Sequence, residues 1–208
     1  ADAGAHNVNE LHGGAMALAV LLSGLVGAWL YRNYILRPQE PEKLEKPDPT
    51  LRVGLVLFLA FLLRCVLSLL FYGHSTDISC FMAWANALAE NGPAAFYASG
   101  MFADYPPGYM YALWFTGSLA KLLSLSYGGA GYVLLTKMPA ILCDLAAAYV
   151  VFNMADKRFS RRVALALCWA VAFNPAMAFL SGGWGQIDQV LTLLLALAAW
   201  LFLEDKLA

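Results

Sequence analysis

Three carboxylates in this 208-residue chain stand at the edges of long apolar runs: Asp77 in GHSTDISCF, Asp104 in ADYPPGY and Asp188 in GGWGQIDQV. An acid in such a place can act as a general base, taking a proton from a hydroxyl as that hydroxyl attacks an activated carbon. Each acid also has a plainer reading. Asp77, after Ser75 and Thr76 and ahead of an amphipathic pattern, suits an N-cap or first-turn residue favoured by the helix dipole. Asp188 suits the cap of the run that follows it, and Asp104 before Tyr-Pro-Pro-Gly suits an ordinary turn.

Charges inside apolar runs are harder to explain as punctuation. Arg64 lies deep in LRVGLVLFLAFLLRCVLSLLFY, and Asp144 lies deep in the run 132–155. A charge at mid-bilayer costs about 2.5–3.5 kcal/mol on insertion scales, so such residues face a bundle interior and find partners. The expectation is a structural ion pair between Arg64 and Asp144. Lys137, in TKMPAIL near one end of its run, suits either snorkelling or the holding of a phosphate at that depth.

The elements that must position these residues are membrane helices. The chain is 61% hydrophobic and 13% charged, where a soluble domain carries about a quarter charged residues. Its mean hydropathy is +0.63 and several runs approach the roughly 20 residues that cross a bilayer as helix. A net charge of -1 says little, because in a membrane protein the distribution of charge matters more than its sum. The four cysteines stand at no metal-ligand or CxxC spacing and indicate no disulfide framework, and no nucleic-acid partner is expected. Apolar runs occupy 13–31, 51–72, 132–155, 163–181 and 186–203, with a shorter one at 109–125. Lys and Arg mark cytoplasmic loops. Residues 32–52 carry five of them, the short loop 156–162 carries four, and the long stretch 73–131 has only Lys121.

Those loops put 32–50 and 156–162 inside and 73–131 outside, which requires an odd number of crossings between residues 73 and 156. The short segment 109–125, bounded by Pro-Pro-Gly and SYGGAG, is therefore expected to lie on the outer face. Segment 78–91 has apolar residues at helical spacing and suits an interfacial amphipathic helix ended by Gly92 and Pro93. Five spans follow, with residues 1–12 outside, the C-terminus inside, and Asp77, Asp104 and Asp188 all on the outer side. That fold class is an all-α polytopic membrane bundle with juxtamembrane helices in its first outer loop.

The order of these features resembles the GT-C glycosyltransferases, polytopic enzymes that use polyprenyl- or dolichyl-phosphate sugars. YPPGYMYALW is similar to the Tyr-Pro-Pro-Leu segment of dolichyl-phosphate-glucose-dependent transferases and to the Pro-Pro-Leu segment of protein O-mannosyltransferases and aminoarabinose transferases. FNPAMAFLSGGWGQIDQV is similar to the Asn-Pro…Asp segment of GPI mannosyltransferases. The likeness covers about residues 51–203, so 51–208 is expected to be a GT-C-like module. Residues 1–50 are an added N-terminal helix, 13–31, and a Pro-rich charged connector.

Carried over residue by residue, the resemblance implies Asp77 as catalytic base, with inversion at the transferred hexose, mannose or glucose. It implies Asp188 as a second acid that positions the acceptor or helps hold a divalent metal, Mg or Mn, although no metal is required. Lys137 is placed near the lipid phosphate, and Asp104, Tyr105 and Pro106 shape the cavity rim, with His74 and Gln186 beside the substrate. Asp77 stands alone where several family members have two adjacent acids. The implied partners are a polyprenyl- or dolichyl-phosphate sugar donor, a glycan, lipid or protein acceptor, and membrane lipids. The implied location is a bacterial cell membrane with its active face outward, or the ER membrane in a eukaryote. Family enzymes carry more spans, so the chain is also expected to be an N-terminal portion of something longer. The competing reading is a non-catalytic membrane subunit or a lipid-linked glycan transporter.

Overall fold

The computed structural model describes residues 49–204, together with Leu18, Leu21, Leu25, Trp29 and Arg32. The expected span 13–31 and the connector as far as residue 48 otherwise lie outside the described residues. Every regular element among the described residues is helical. Helix α1, Pro49–Leu70, starts on a proline, which is harmless in a first turn whose N–H has no partner anyway. Helix α2, Ser75–Asn91, ends where the Gly92 N–H returns to Leu88 O. A short α3, Pro93–Phe96, and a 3-10 turn, Tyr97–Ser99, lead to α4, Pro107–Leu122. Helix α5, Ala130–Asp156, is the longest of these at 27 residues and keeps Pro139 inside it. Helix α6, Arg161–Ala172, precedes a one-turn α7, Pro175–Ala178, a π-helical turn, Phe179–Trp184, and α8, Asp188–Leu203.

Two described helices are long and apolar enough to cross a bilayer: Arg52–Leu70 in α1, mean hydropathy 2.6, and α5, mean hydropathy 1.6. A third crossing exists if α6 and the Pro175–Trp184 segment, bent by 41°, form one span. The continuous span expected over 163–181 is thus two pieces. The break has a local cause: Asn174 caps the restart, its side-chain oxygen accepting from Ala176 N at 3.0 Å and Met177 N at 3.1 Å, and Pro175 takes the first helical position. Helix α8 begins at Asp188, not at 186, and its 16 residues reach about 24 Å, short of a 30 Å hydrocarbon core.

The segments read as outer-loop helices are α2 and α4, and they pack on each other. Gly117 of α4 sits against the backbone of Ala85, where a Cβ would collide with the Ala85 carbonyl oxygen. Around that contact lies an aromatic-rich core of Phe81, Trp84, Leu88, Phe96, Tyr109 and Leu113. The opposite side of α4 leaves Tyr111, Trp114, Phe115 and Leu122 exposed. A second core joins α1, α5 and α6; it is rich in small side chains, Ala60, Ala148, Ala155, Ala164, Cys168 and Ala172, with Val53 and Phe152. Helix α5 touches both, packing against α1, α6 and α8 along its length and against α2 and α4 near its start. The candidate site lies where the two cores meet.

Candidate active site

The segment SGGWGQ, residues 181–186, is fixed along its whole length by side chains from three helices. At its first residue, Ser181 Oγ lies 2.9 Å from Asp144 Oδ2 and 3.2 Å from Arg64 Nε. Arg64 Nε and Nη2 donate to the same Asp144 oxygen at 2.9 and 2.8 Å, and Nη1 donates to the carbonyls of Ala60 and Ala172 at 3.1 and 2.7 Å. Both side chains of the pair are 0% exposed. A buried ion pair survives desolvation only when its remaining polar atoms are also bonded, and Arg64 meets that condition. Asp144 Oδ1 makes no hydrogen bond among the described residues.

The next two residues are held by Lys137. Its Nζ donates to Gly182 O at 3.0 Å, Gly183 O at 2.9 Å and Phe71 O at 2.8 Å, and the side chain is buried. An ammonium has three N–H donors, and all three of Lys137 go to main-chain carbonyls here, so the side chain forms a backbone clamp. Trp184 then meets the corner after α1: His74 N donates to Trp184 O at 3.2 Å, and the two rings stack with centroids 5.4 Å apart. Gly73 makes that corner with a φ of +104°, and a Cβ there would collide with Trp184 O, so only glycine fits.

Asp77 receives the C-terminal end of the segment. It stands in the first turn of α2, whose N-cap is His74, yet its carboxylate bonds across the chain. Gln186 Nε2 donates to Oδ2 at 2.7 Å and Trp184 Nε1 donates to the same oxygen at 3.3 Å. Oδ1 accepts no hydrogen bond among the described residues; its nearest polar neighbour is the buried His74 Nδ1, 3.4 Å away and also unbonded. The Asp77 side chain is 27% exposed. One oxygen is therefore anchored by two donors while the other accepts no hydrogen bond and has the His74 ring nitrogen beside it, on a side chain that is partly exposed.

Tyr105 belongs to the aromatic core beside α2. Its ring packs against Phe81, Trp84 and Tyr109. Burial first, then the carboxylates of Asp77, Asp104 and Asp188, push its phenol above the ordinary range, so it stays a neutral O–H. Asp104 and Asp188 are exposed and their carboxylates have no hydrogen bond among the described residues. The three acids are not hydrogen-bonded to one another among the described residues. Among the described residues no three His, Cys, Asp or Glu side chains gather as a metal-holding group.

No family model, curated protein or solved structure matches the chain. The site therefore rests on its own geometry. Two of its members escaped the sequence reading. Trp184 was only part of a quoted segment, and nothing local points it at a carboxylate 107 positions earlier. Ser181 did carry a signal: it is a lone hydroxyl at the end of an apolar run, opposite an ion pair whose lone pairs needed a third partner.

Proposed function

We propose that this chain is a membrane glycosyltransferase module. It moves a hexose, mannose or glucose, from a polyprenyl-phosphate carrier to a hydroxyl of a glycan, lipid or protein acceptor on the extracytoplasmic face. The observation that carries the reading is the asymmetry at Asp77: Oδ2 is anchored by Gln186 and Trp184, and Oδ1 accepts no hydrogen bond among the described residues and faces His74 Nδ1 at 3.4 Å. In the proposed step the acceptor O–H gives its proton to Asp77 Oδ1 as the acceptor oxygen bonds the anomeric carbon. The bond from that carbon to the phosphate oxygen breaks on the opposite face, and its electron pair leaves with the lipid phosphate. The configuration inverts. Tyr105, held neutral, can donate a hydrogen bond to a sugar hydroxyl at the rim, and Asp104 and Asp188 can accept from others.

The resemblance to GT-C transferases supports the same reading through the ordered set Asp77, Tyr105-Pro106-Pro107, Asn174-Pro175 and Asp188, and with it the outward-facing bundle of that family. A divalent metal is optional in this scheme because a phosphate monoester is already a fair leaving group. The test is transfer of label from a polyprenyl-phosphate hexose to acceptor by the full chain in liposomes, with the product's anomeric configuration read by NMR. An inverted product supports the reading; donor hydrolysed or left intact in the presence of every acceptor class sinks it.

The bent pair α6–Trp184 gives one observation to the alternative, a lipid-linked glycan transporter or non-catalytic subunit, because transporters build their sites on interrupted helices. In the same liposomes that alternative predicts movement of intact lipid-linked sugar between leaflets without transfer.

A further inference from the structure

Lys137 is the buried charge that the proposed chemistry leaves unused. Its three partners are all main-chain carbonyls, and none is a carboxylate. They come from two separated corners of the chain: Phe71 O belongs to the corner after α1, and Gly182 O and Gly183 O to the π-helical turn. Those same two corners go on to supply the carboxylate and its anchors. Asp77 follows Phe71 across Gly73 and His74, and Trp184 and Gln186 follow Gly183 directly. The corners also touch between the two sets of contacts, through His74 N and Trp184 O.

The choice of residue is explained by geometry. Three carbonyls converging on one point need three donors on one atom, which only an ammonium offers; a guanidinium spreads its donors over a plane and an amide has two. Carbonyls past the end of a helix are unpaired and carry the negative end of its dipole, so they can offset the desolvation of a buried cation. The stem is fitted as well: a Cβ on Gly185 would stand 3.0 Å from Lys137 Cε.

We infer that Lys137 is a positioning residue for Asp77. It sets the distance between the α1–α2 corner and the π-helical turn, and so holds the indole and amide donors on Oδ2. The catalytic part of this inference rests on Asp77 being the base proposed above; the positioning part stands on the contacts alone.

The test uses the full chain in nanodiscs with 5-fluorotryptophan, the Trp184 fluorine resonance being assigned by its loss in Trp184→Phe. Lys137→Ala is expected to shift or broaden that resonance and to lower kcat for sugar transfer about 10–100-fold at unchanged donor KM, the scale of a sub-ångström to 1 Å misplacement. Propylammonium, which replaces the deleted atoms, is expected to restore both. Lys137→Gln, which keeps two of the three donors, is the variant to use if Lys137→Ala does not fold, and it should displace the resonance less. A Trp184 resonance unmoved in the folded variants overturns the inference. So does a raised donor KM at unchanged kcat, which would mark a phosphate contact. If the unaltered chain transfers no sugar, the glycosyltransferase reading fails, and the fluorine resonance still decides for or against the clamp.

Discussion

The aromatic core between α2 and α4 and the alanine core between α1, α5 and α6 solve packing in opposite ways. In the first, Phe81, Trp84, Phe96 and Tyr109 fill much of the space, and Gly117 lets α4 approach the backbone of Ala85. In the second, Ala60, Ala148, Ala155, Ala164 and Ala172 let helices lie against each other, and Arg64, Asp144 and Ser181 bond across the gap. The difference is the one two solvents would select if, as proposed, α1 and α5 cross a bilayer and α2 and α4 lie at its surface. Next to water, burying a large apolar side chain is itself favourable, by about 25 cal/mol per Å². Within lipid the tails are as apolar as leucine, so association relies on close approach of small residues and on hydrogen bonds. Helix α2 carries Asn86 bonded to Glu90 on its exposed side, whereas α1 exposes Leu55, Phe58, Leu62 and Leu69.

The largest expected effect lies in the alanine core. Asp144→Ala leaves the Arg64 charge buried without its partner and should cost about 3–5 kcal/mol in denaturant unfolding from detergent micelles. The double change of Arg64→Leu with Asp144→Leu should recover most of that loss, since no charge is then left behind. If the single variant is as stable as the parent, the pair is not what joins these helices.

Leu88→Ala in the aromatic core should cost about 2–5 kcal/mol, the usual range for a buried leucine, which here is 0% exposed. Hydrogen exchange should show lost protection in α2 and α4 with α5 and α6 unchanged. Exchange that rises equally in all four helices would mean the two cores are one cooperative unit. Ala148→Leu probes the converse and should cost about 1–3 kcal/mol by overfilling the contact of α5 with its neighbours. Unaltered stability there would show that close approach is not what the alanines provide.

Much of this arrangement is visible in the residues themselves, and the reasons are local. Runs such as 51–72 and 132–155 have no alternative to helix, and the helical spacing of Ile78, Phe81, Met82, Ala85 and Leu88 predicts the buried face that α2 shows. Arg64 and Asp144 meet because each is costly alone at that depth. The break before α7 is less visible, since proline alone does not end a helix in a bundle. The preceding Asn174 was the informative residue: an N-cap followed by proline is a restart signal. Lys137 suited two roles by position, and the convergence of three carbonyls on its ammonium has no local signal in the sequence. The bonds of Gln186 and Trp184 to Asp77 span 109 and 107 positions, so no local pattern encodes them.

Asp77→Asn is the most direct test of the proposed site. Asparagine keeps an acceptor oxygen for the Gln186 and Trp184 donors but cannot take a proton, so it separates chemistry from architecture. Single-turnover transfer from labelled polyprenyl-phosphate hexose in liposomes should fall about 10²–10⁴-fold, the usual share of a positioned base, with donor binding unchanged. Transfer by Asp77→Asn within a few-fold of the parent rate would contradict the assignment of Asp77 as the base.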